Sequence, residues 1–444
     1  MRRRTFLVAA GAAGAAAMAR RPLAAEPAEI TFWHAMTGVL NAEIERICGA
    51  FNATQTSWRV RPVFRGGYPE TLTAAIAAFR AGQAPHLVQM FEVGTGSMLA
   101  AGPAVKQVWQ LAGETGVALP PEAFIPAVRG YYSLPDGRLA SMPFNSSTAV
   151  MWINKDAFAK AGLDPERPPA TWPDLMQAAS AIKAKNAAPV AVTTSWPTWI
   201  QFEQFGAIHD VPFATLANGF EGPGAELLVN KPAFVGQLQR LLDMAKDGTF
   251  RYAGRDTAGD PMFPAGEAAI AFATSGLRTT IASSAKFAWA AAPLPYDPAL
   301  IQKPNNTVIG GASLWAMTAP GRTADEYKGV ATFFQFLAKP ENDAAWSANS
   351  GYVPVTIAGY GRLREQGFFA KNPAAEVPIQ ELNRGQVTAN SKGFRLGRMS
   401  EIRNIIQEEM EKALQGGQTA QAALDAAVAR GNVVLRQFQR SLAN

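Results

Sequence analysis

The side chains best suited to catalysis or metal binding are few in this 444-residue sequence. The three histidines are His34, His86 and His209, which lie far apart and lack the spacing of a metal site. Cys48 is the single cysteine, which excludes an internal disulfide and a cysteine-based metal cluster. We therefore expect no metal and no other cofactor.

Signatures of common enzyme classes are also missing from the sequence. Gly94-Thr95-Gly96 lacks the third glycine of a dinucleotide-binding loop, and neither a Gly-x-Ser-x-Gly elbow nor a P-loop occurs. His34 follows a predicted strand, where open α/β sheets bind ligands, but we interpret it as a structural histidine. The sequence therefore has no motif that supports an enzyme of these classes.

The elements that must position any site alternate between strand and helix. Residues 29–34 form a predicted strand, and residues 40–51 form a predicted helix whose apolar face includes Cys48. A second helix at 68–80 precedes a buried strand at 86–91. The alternation predicts an α/β fold built on parallel strands. Further strands are predicted at residues 148–153, 190–193, 268–273, 287–292 and 307–317.

The length of the chain indicates two lobes. Roughly 420 residues exceed one ordinary domain, yet no Pro- or Ser-rich linker separates two halves. We therefore expect the chain to cross between the lobes more than once, with candidate crossings at 143–148 and 291–296. Helices dominate from residue 324 onward, including 400–414 and 419–442.

The N-terminus has the features of an export signal. Arg3-Arg4-Thr5-Phe6-Leu7 fits a twin-arginine (Tat) pattern and precedes an apolar run that is too short to span a membrane. We predict that residues 1–25 are a Tat-type signal peptide cleaved near Ala25, which places the mature protein in the periplasm. No cysteine follows the run, so a lipoprotein anchor is not expected.

The charge of the chain lies mostly in that signal. The sequence has 41 Lys and Arg against 35 Asp and Glu, and residues 1–25 contain five arginines and no acid. The remaining balance is therefore 36 against 35. Because nucleic-acid binding depends on a concentrated excess of Lys and Arg, we exclude nucleic acid as a partner.

A set of motifs occurs in a fixed order along the chain. One segment runs from Asn154-Lys155-Asp156 to Thr171-Trp172-Pro173, and resembles the extracellular solute-binding family that includes maltose-binding protein. Other motifs resemble the periplasmic glycerol-3-phosphate-binding members of that family. These motifs are Phe32-Trp33-His34, Glu92-Val93-Gly94-Thr95, Pro143-Phe144-Asn145-Ser146-Ser147-Thr148, Ile309-Gly310-Gly311-Ala312-Ser313-Leu314-Trp315, Gly351-Tyr352 and Arg395-Leu396-Gly397.

The resemblance implies a type II periplasmic binding protein, with two α/β lobes joined by a multi-segment hinge and a helical C-terminal region. The N-terminal lobe is expected at residues 26–145 and 296–345, and the C-terminal lobe at 146–295 and 346–444. The implied partners are the membrane permease subunits of an ABC importer with their cytoplasmic ATPase. We expect the receptor itself to be a monomer.

The resemblance also implies the ligand, sn-glycerol 3-phosphate, and its contacts. A phosphate monoester carries close to two negative charges and needs donors, which the fork of Arg403 and the backbone N–H of Gly311 would supply. The glycerol hydroxyls suit a carboxylate such as Glu92. The implied ligand contacts are Tyr68, Glu92, Ser147, Trp196, Trp199, Thr274, Gly311, Tyr352 and Arg403.

Three alternatives remain open from the sequence. The family pattern has serine where this chain has Thr274, so Ser275 is an alternative donor. The ligand has two alternatives within the family, a glycerophosphodiester such as glycerophosphocholine or an unphosphorylated sugar. From a different functional class, a Tat-exported enzyme is the alternative to a receptor.

Overall fold

The computed structural model describes residues 26–442, in which the chain forms two β-sheets with helices packed around them. The signal peptide predicted for residues 1–25 lies outside the described residues. Within 26–442, no helix combines the length and the hydropathy needed to cross a membrane. The strands are β1 (Ala28–His34), β2 (Trp58–Phe64), β3 (Leu87–Phe91), β4 (Val105–Lys106), β5 (Met142–Ser147), β6 (Ala149–Asn154), β7 (Val190–Thr194), β8 (Phe250–Tyr252), β9 (Ala268–Thr274), β10 (Trp289–Ala292) and β11 (Gly310–Met317).

The first sheet, which defines the first lobe, has the order β2-β1-β3-β11-β4, with β5 paired to β11. β1 is parallel to β2 and β3, as the alternation of strand and helix predicted. β11 is antiparallel to β3, β4 and β5, because the chain re-enters this sheet from the second lobe rather than through a crossover helix. The sheet is therefore mixed rather than wholly parallel.

The second sheet defines the second lobe and has the order β10-β6-β9-β7-β8. β7 is parallel to β8 and β9, whereas β6 is antiparallel to β9 and β10. All five residues of β7 and all six of β6 are buried, as expected for strands covered on both faces. Both sheets have helices on their faces, so the predicted α/β class with two lobes is confirmed.

The helices agree with the apolar periodicity of the sequence. The helix Tyr68–Arg80 has the predicted bounds, and Cys48 is buried on the inner face of Gly38–Ala53. The α-helices of six residues or more are Gly38–Ala53, Tyr68–Arg80, Thr95–Ala100, Val108–Thr115, Pro126–Tyr132, Lys155–Lys160, Trp172–Ala184, Pro232–Lys246, Arg278–Ser284, Ala324–Leu337, Pro340–Ser350, Ile357–Glu365, Val377–Leu382, Met399–Leu414 and Ala420–Leu442. A π-helix, Trp199–Gln204, follows β7.

The chain crosses from the first sheet to the second at 143–148, one of the two places that the sequence indicated. The return lies later than the predicted 291–296, because Tyr296 and Asn305 still bond backbone groups of the second lobe. β5 ends at Ser147 and β6 begins at Ala149, so Thr148 alone joins them. The Thr148 hydroxyl donates to the carbonyl of Val308 (3.0 Å), in the segment that leads back to β11. The two crossings are therefore tied together at the hinge.

The predicted lobe boundaries at residues 145 and 345 stay predictions, but the packing near both is clear. Ser147 belongs to the first sheet, where it pairs with Gly310, and not to the second lobe as expected. Trp346 stacks on Phe144 with ring centroids 4.5 Å apart, and Leu363 lies in the same buried cluster. The chain after residue 345 thus returns to the first lobe before it enters the C-terminal helices.

Candidate ligand-binding site

A buried cluster of three charged side chains joins the two lobes. Glu92 directly follows β3 in the first lobe, whereas Glu203 lies on the π-helix and Arg403 near the start of Met399–Leu414. The exposed fractions of the three residues are 5% for Glu92, 1% for Glu203 and 7% for Arg403. We call these residues the charged cluster.

The hydrogen bonds of the charged cluster all converge on Arg403. Its Nε donates to Glu203 Oε1 (2.6 Å) and its Nη2 to Glu203 Oε2 (2.7 Å), so Glu203 holds the guanidinium in a bidentate pair. Nη2 also donates to Glu92 Oε1 (2.7 Å). The Nε–Nη2 edge of the guanidinium, which could bind a phosphate through two hydrogen bonds, is therefore already engaged by carboxylates.

The pKa values in the cluster follow from burial and from these neighbours. Burial raises the pKa of Glu92, Arg403 opposes the rise, and Glu203 adds to it. Burial alone would lower the pKa of Arg403, but the two carboxylates outweigh it and raise that pKa. Arg403 is therefore always charged.

A second group of polar side chains lies near the hinge. The Tyr68 phenol accepts a hydrogen bond from Asn145 Nδ2 (2.9 Å), and its ring stacks on Phe91 with a centroid separation of 5.3 Å. Burial raises the pKa of Tyr68 well above its ordinary value, and the adjacent Tyr352 raises it further. Burial likewise raises the pKa of Tyr352, so both phenols keep their protons and can donate.

Two glycines shape the strand end opposite Ser147. Gly311 has φ +89°, and a Cβ there would lie 1.9 Å from the carbonyl oxygen of Asn145, so no larger residue fits. A Cβ on Gly310 would lie 2.4 Å from Trp199 Cζ2. The backbone of β11 is thus in direct contact with β5 on one side and with the indole of Trp199 on the other.

Thr274 and Ser275 end β9 close to this strand end. Thr274 Oγ1 accepts from the backbone N–H of Gly276 (3.2 Å), and Ser275 Oγ accepts from that of Thr148 (3.4 Å). A Cβ on Gly276 would lie 3.3 Å from the ring of Tyr352, which places Thr274 and Tyr352 on neighbouring sides of one turn. Each hydroxyl accepts one bond and keeps its proton for another partner.

The two tryptophans flank the start of the π-helix. Trp196 has φ +45°, and its backbone N–H donates to the carbonyl of Asp256 (2.7 Å). Left-handed backbone at a bulky residue is strained and is found preferentially at functional sites. Trp199 is buried, and its indole N–H has no hydrogen-bond partner within residues 26–442.

The predicted site residues therefore fall into two connected groups. Glu92 and Arg403 meet in the charged cluster, while Tyr68, Tyr352 and Thr274 meet at the hinge. Trp199 lies between the groups, because it contacts Gly310 and belongs to the same π-helix as Glu203. We call the hydroxyl groups of Tyr68, Ser147, Thr274 and Tyr352 the hinge-side donors.

The three histidines have separate surroundings and do not contact one another. His34 is buried, and burial lowers its pKa to about 4. His86 bonds Thr31 and Glu326 through its two ring nitrogens, whereas His209 bonds the backbone of Phe205 and Asp297. Within residues 26–442, no three histidine, cysteine or acidic side chains are grouped as metal ligands.

Sequence reasoning missed two residues of the site, Glu203 and Asn145. Asn145 belongs to the motif that runs from Pro143 to Thr148, but the motif does not indicate that its amide bonds Tyr68. Glu203 is a single carboxylate in the aromatic stretch Trp199–Phe205, and this unusual setting was the available signal. A lone carboxylate among buried aromatic residues needs a cation, which is here provided by Arg403.

Comparison with known proteins gives consistent results. The family described as bacterial extracellular solute-binding protein matches residues 47–374. The chain is 44% identical to the sn-glycerol-3-phosphate-binding periplasmic protein UgpB of Rhizobium meliloti over 407 residues, which are 92% of this chain and 94% of that protein. It is also 44% identical to UgpB of Escherichia coli over 413 residues, 93% of each chain.

Solved structures share the fold at lower identity. UgpB from Mycobacterium tuberculosis in complex with glycerophosphocholine superimposes with a TM-score of 0.77 at 21% identity, covering 92% of this chain and 98% of that one. The cyclic alpha-maltosyl-1,6-maltose binding protein from Arthrobacter globiformis gives a TM-score of 0.70 at 22% identity, covering 93% and 100%. The chain belongs to the family of bacterial extracellular solute-binding proteins, whose two-lobed fold it shares.

Proposed function

We propose that this chain is the periplasmic receptor of an ABC importer and binds sn-glycerol 3-phosphate between its two lobes. The observation that carries the proposal is the meeting of Glu92 and Arg403, 2.7 Å apart and contributed by opposite lobes. The names of the relatives that are 44% identical over more than nine tenths of the chain support the same ligand. Receptors of this family carry their ligand and catalyse no reaction.

The arrangement matches what the ligand requires. Glycerol 3-phosphate combines an anionic end that needs donors with a diol end that needs both donors and acceptors. The hinge-side donors offer four hydroxyls, and the charged cluster offers carboxylate oxygens beside a guanidinium. Trp196 and Trp199 would cover the apolar C–H surface of the ligand.

Closure of the two lobes is the proposed signal to the transporter. Ligand favours a closed state only if it binds that state more tightly, and contacts from both lobes provide this difference. Tyr68, Glu92 and Gly311 act from the first lobe, and Thr274 and Arg403 from the second. The permease subunits with their ATPase would then receive the closed, ligand-bound monomer in the periplasm, after Tat export and cleavage near Ala25.

Titration calorimetry of the mature protein tests this function. We expect glycerol 3-phosphate to bind at one site per chain, and maltose to produce no heat of binding. Glycerophosphocholine is the second ligand to titrate, since a related structure contains it. Recovery of unchanged glycerol 3-phosphate after incubation would separate a receptor from an exported enzyme. Tight binding of maltose without binding of either glycerol phosphate would refute the proposal.

A further inference from the structure

The charge of Arg403 is compensated by carboxylates of the chain itself. Glu203 takes both Nε and Nη2, and Glu92 takes a second bond from Nη2. With both carboxylates ionised, the charged cluster has a formal charge of −1. Burial raises the pKa of Asp256 and the positive charge of Arg403 opposes that rise, so a third carboxyl group lies near the guanidinium.

A phosphoryl group would meet an unfavourable environment at this cluster. A dianion placed beside Arg403 would face two buried carboxylates at short range, and like charges interact strongly where water is excluded. Hydroxyl groups have the opposite preference, because they donate to a carboxylate and accept from a guanidinium. Nη1 of Arg403 has no hydrogen bond to residues 26–442 and is therefore the nitrogen that can donate to the oxygen of a ligand hydroxyl group.

The hinge-side donors have the complementary character. The Tyr68 phenol is bonded to the neutral amide of Asn145, and the Thr274 hydroxyl to a backbone N–H, so neither is engaged by a carboxylate. The Tyr68 and Tyr352 phenols stay protonated because burial raises their pKa values. Buried neutral donors stabilise an anion through charge-assisted hydrogen bonds without a counter-charge.

Glu203 and Arg403 are held by the same lobe. The π-helix is bound to the second lobe, since Gln201 accepts from Gln237 (2.9 Å) and donates to Thr194 (3.1 Å). The helix of Arg403 is bound to the same lobe through Tyr252, which donates to Glu411 (2.6 Å). Hinge motion therefore separates Glu92 from Arg403 but leaves the Glu203–Arg403 pair intact.

We propose that Glu203 is a specificity-determining residue, which neutralises Arg403 so that the charged cluster recognises the glycerol hydroxyls while the phosphoryl group binds at the hinge-side donors. The inference rests on the proposed function and reverses the polarity expected from the sequence, in which Arg403 held the phosphate. Glu203 acts through Arg403 as a positioning residue, and Glu92 exchanges between Arg403 and the ligand.

The test is the ratio of two affinities in a Glu203→Gln variant, measured by calorimetry with glycerol 3-phosphate and with inorganic phosphate as competitor. Removing one negative charge beside Arg403 should let inorganic phosphate bind there, and should lower the ratio of its Kd to that of glycerol 3-phosphate by about tenfold or more. A folding defect would weaken both ligands together and leave the ratio unchanged.

Glu409→Gln is the matched control. Glu409 lies on the helix Met399–Leu414 and, like Glu203, is buried. It pairs with Lys412 and Arg430 and not with Arg403. Its substitution should leave the ratio at the wild-type value. An unchanged ratio in a Glu203→Gln protein that has the wild-type circular dichroism spectrum would overturn the inference while the proposed function stands. Failure of the wild-type protein to bind glycerol 3-phosphate would refute both.

A second variant keeps the inference testable if Glu203→Gln does not fold. Glu92→Gln should weaken glycerol 3-phosphate but not ethyl phosphate, which has the phosphoryl group without the hydroxyls. Equal weakening of both probes would show that the cluster binds the phosphoryl end, and would overturn the inference.

Discussion

At the scale of single residues, Gly311 shows how closely the backbone of the site is packed. Its φ of +89° lies in the region that favours glycine, and the position of a Cβ is occupied by the carbonyl oxygen of Asn145. Because Asn145 also holds Tyr68, a shift of this carbonyl would reach the hinge-side donors. Glycine is therefore required at position 311 by the packing of the backbone, whether or not it contacts the ligand.

We predict that Gly311→Ala destabilises the protein by about 3 kcal/mol or more, because the new methyl must displace backbone atoms and adopt a left-handed conformation. Urea unfolding followed by circular dichroism measures the change. Gly236→Ala is the control, since a Cβ there meets nothing within 4 Å inside the helix Pro232–Lys246. That control should be slightly stabilising, and equal effects of the two substitutions would contradict the argument.

His209 is a buried histidine whose hydrogen bonds fit only its neutral form. Its Nδ1 donates to the carbonyl of Phe205 (2.7 Å), while its Nε2 accepts from the backbone N–H of Asp297 (2.7 Å). A proton on Nε2 would face that N–H, and burial lowers the pKa of His209 to about 4 from an ordinary value of 6.5. The folded state therefore resists protonation that the unfolded chain accepts.

The pKa values of His209 in the folded and unfolded chain determine how stability changes with pH. The stability from neutral His209 is complete above pH 6.5 and is lost as the pH falls from 6.5 toward 4, by at most about 1.4 kcal/mol per pH unit. We predict that His209→Gln, which keeps an acceptor for Asp297, loses less stability than wild type between pH 7 and about pH 5 in urea titrations. Parallel pH profiles for the two proteins would contradict this assignment.

The role of Glu203 could not be predicted from the residues around it in the sequence. Its neighbours gave no sign of the cation it binds, because Arg403 is 200 positions further along the chain. Gly311 and Arg403 were predicted as site residues from the resemblance to a family, and not from the spacing or periodicity of the sequence. Contacts between distant residues depend on the fold as a whole, so local patterns do not contain them.

At the scale of elements, the sequence predicted those with a clear apolar period. The helix Tyr68–Arg80 and the buried strands β7 and β9 agree with prediction to within one residue. β2 was missed because it is an edge strand that contains Arg59, Arg61 and Pro62 and pairs only with β1. β4 and β8 have two and three residues, too few to establish a period.

The π-helix is the element that the sequence analysis did not anticipate. Such wide turns are rare and occur mostly at functional sites, and this one supplies both Trp199 and Glu203. It is held to the hinge by Gln204, whose amide donates to the carbonyl of Val308 (2.9 Å) and accepts from its N–H (3.0 Å). The short π-helix thus connects the charged cluster to the segment that precedes β11.

We predict that Gln204→Ala destabilises the protein by about 2–3 kcal/mol, because the buried N–H of Val308 loses its partner and a buried amide leaves a cavity. Urea unfolding gives the value. Gln239→Ala is the control, since the exposed Gln239 bonds only Asp243 one turn away, and should change stability by less than about 0.5 kcal/mol. A stability of Gln204→Ala within the range of that control would show that the contact does not anchor the π-helix.

At the scale of the whole molecule, the two lobes are joined by segments that the sequence located only in part. The crossing at Thr148 was predicted because strand-like residues adjoin Pro143. The return of Trp346 to the first lobe was not, because helical periodicity shows that a face is buried but not which lobe buries it. The length of the chain therefore predicted two lobes, while the path between them required the structure.

The two-lobed arrangement predicts a change of shape that small-angle X-ray scattering measures. We expect glycerol 3-phosphate to reduce the radius of gyration of the mature protein toward about 22 Å, the value for a compact chain of this length. Arg403→Ala should abolish the reduction, because it leaves two buried carboxylates without a cation and weakens binding by about 2–5 kcal/mol. Since Glu203 stays with Arg403 on the second lobe, the loss arises from the contact across the cleft to Glu92. A ligand-bound radius equal to the free one in wild type, at saturation, would contradict closure as the signal to the permease.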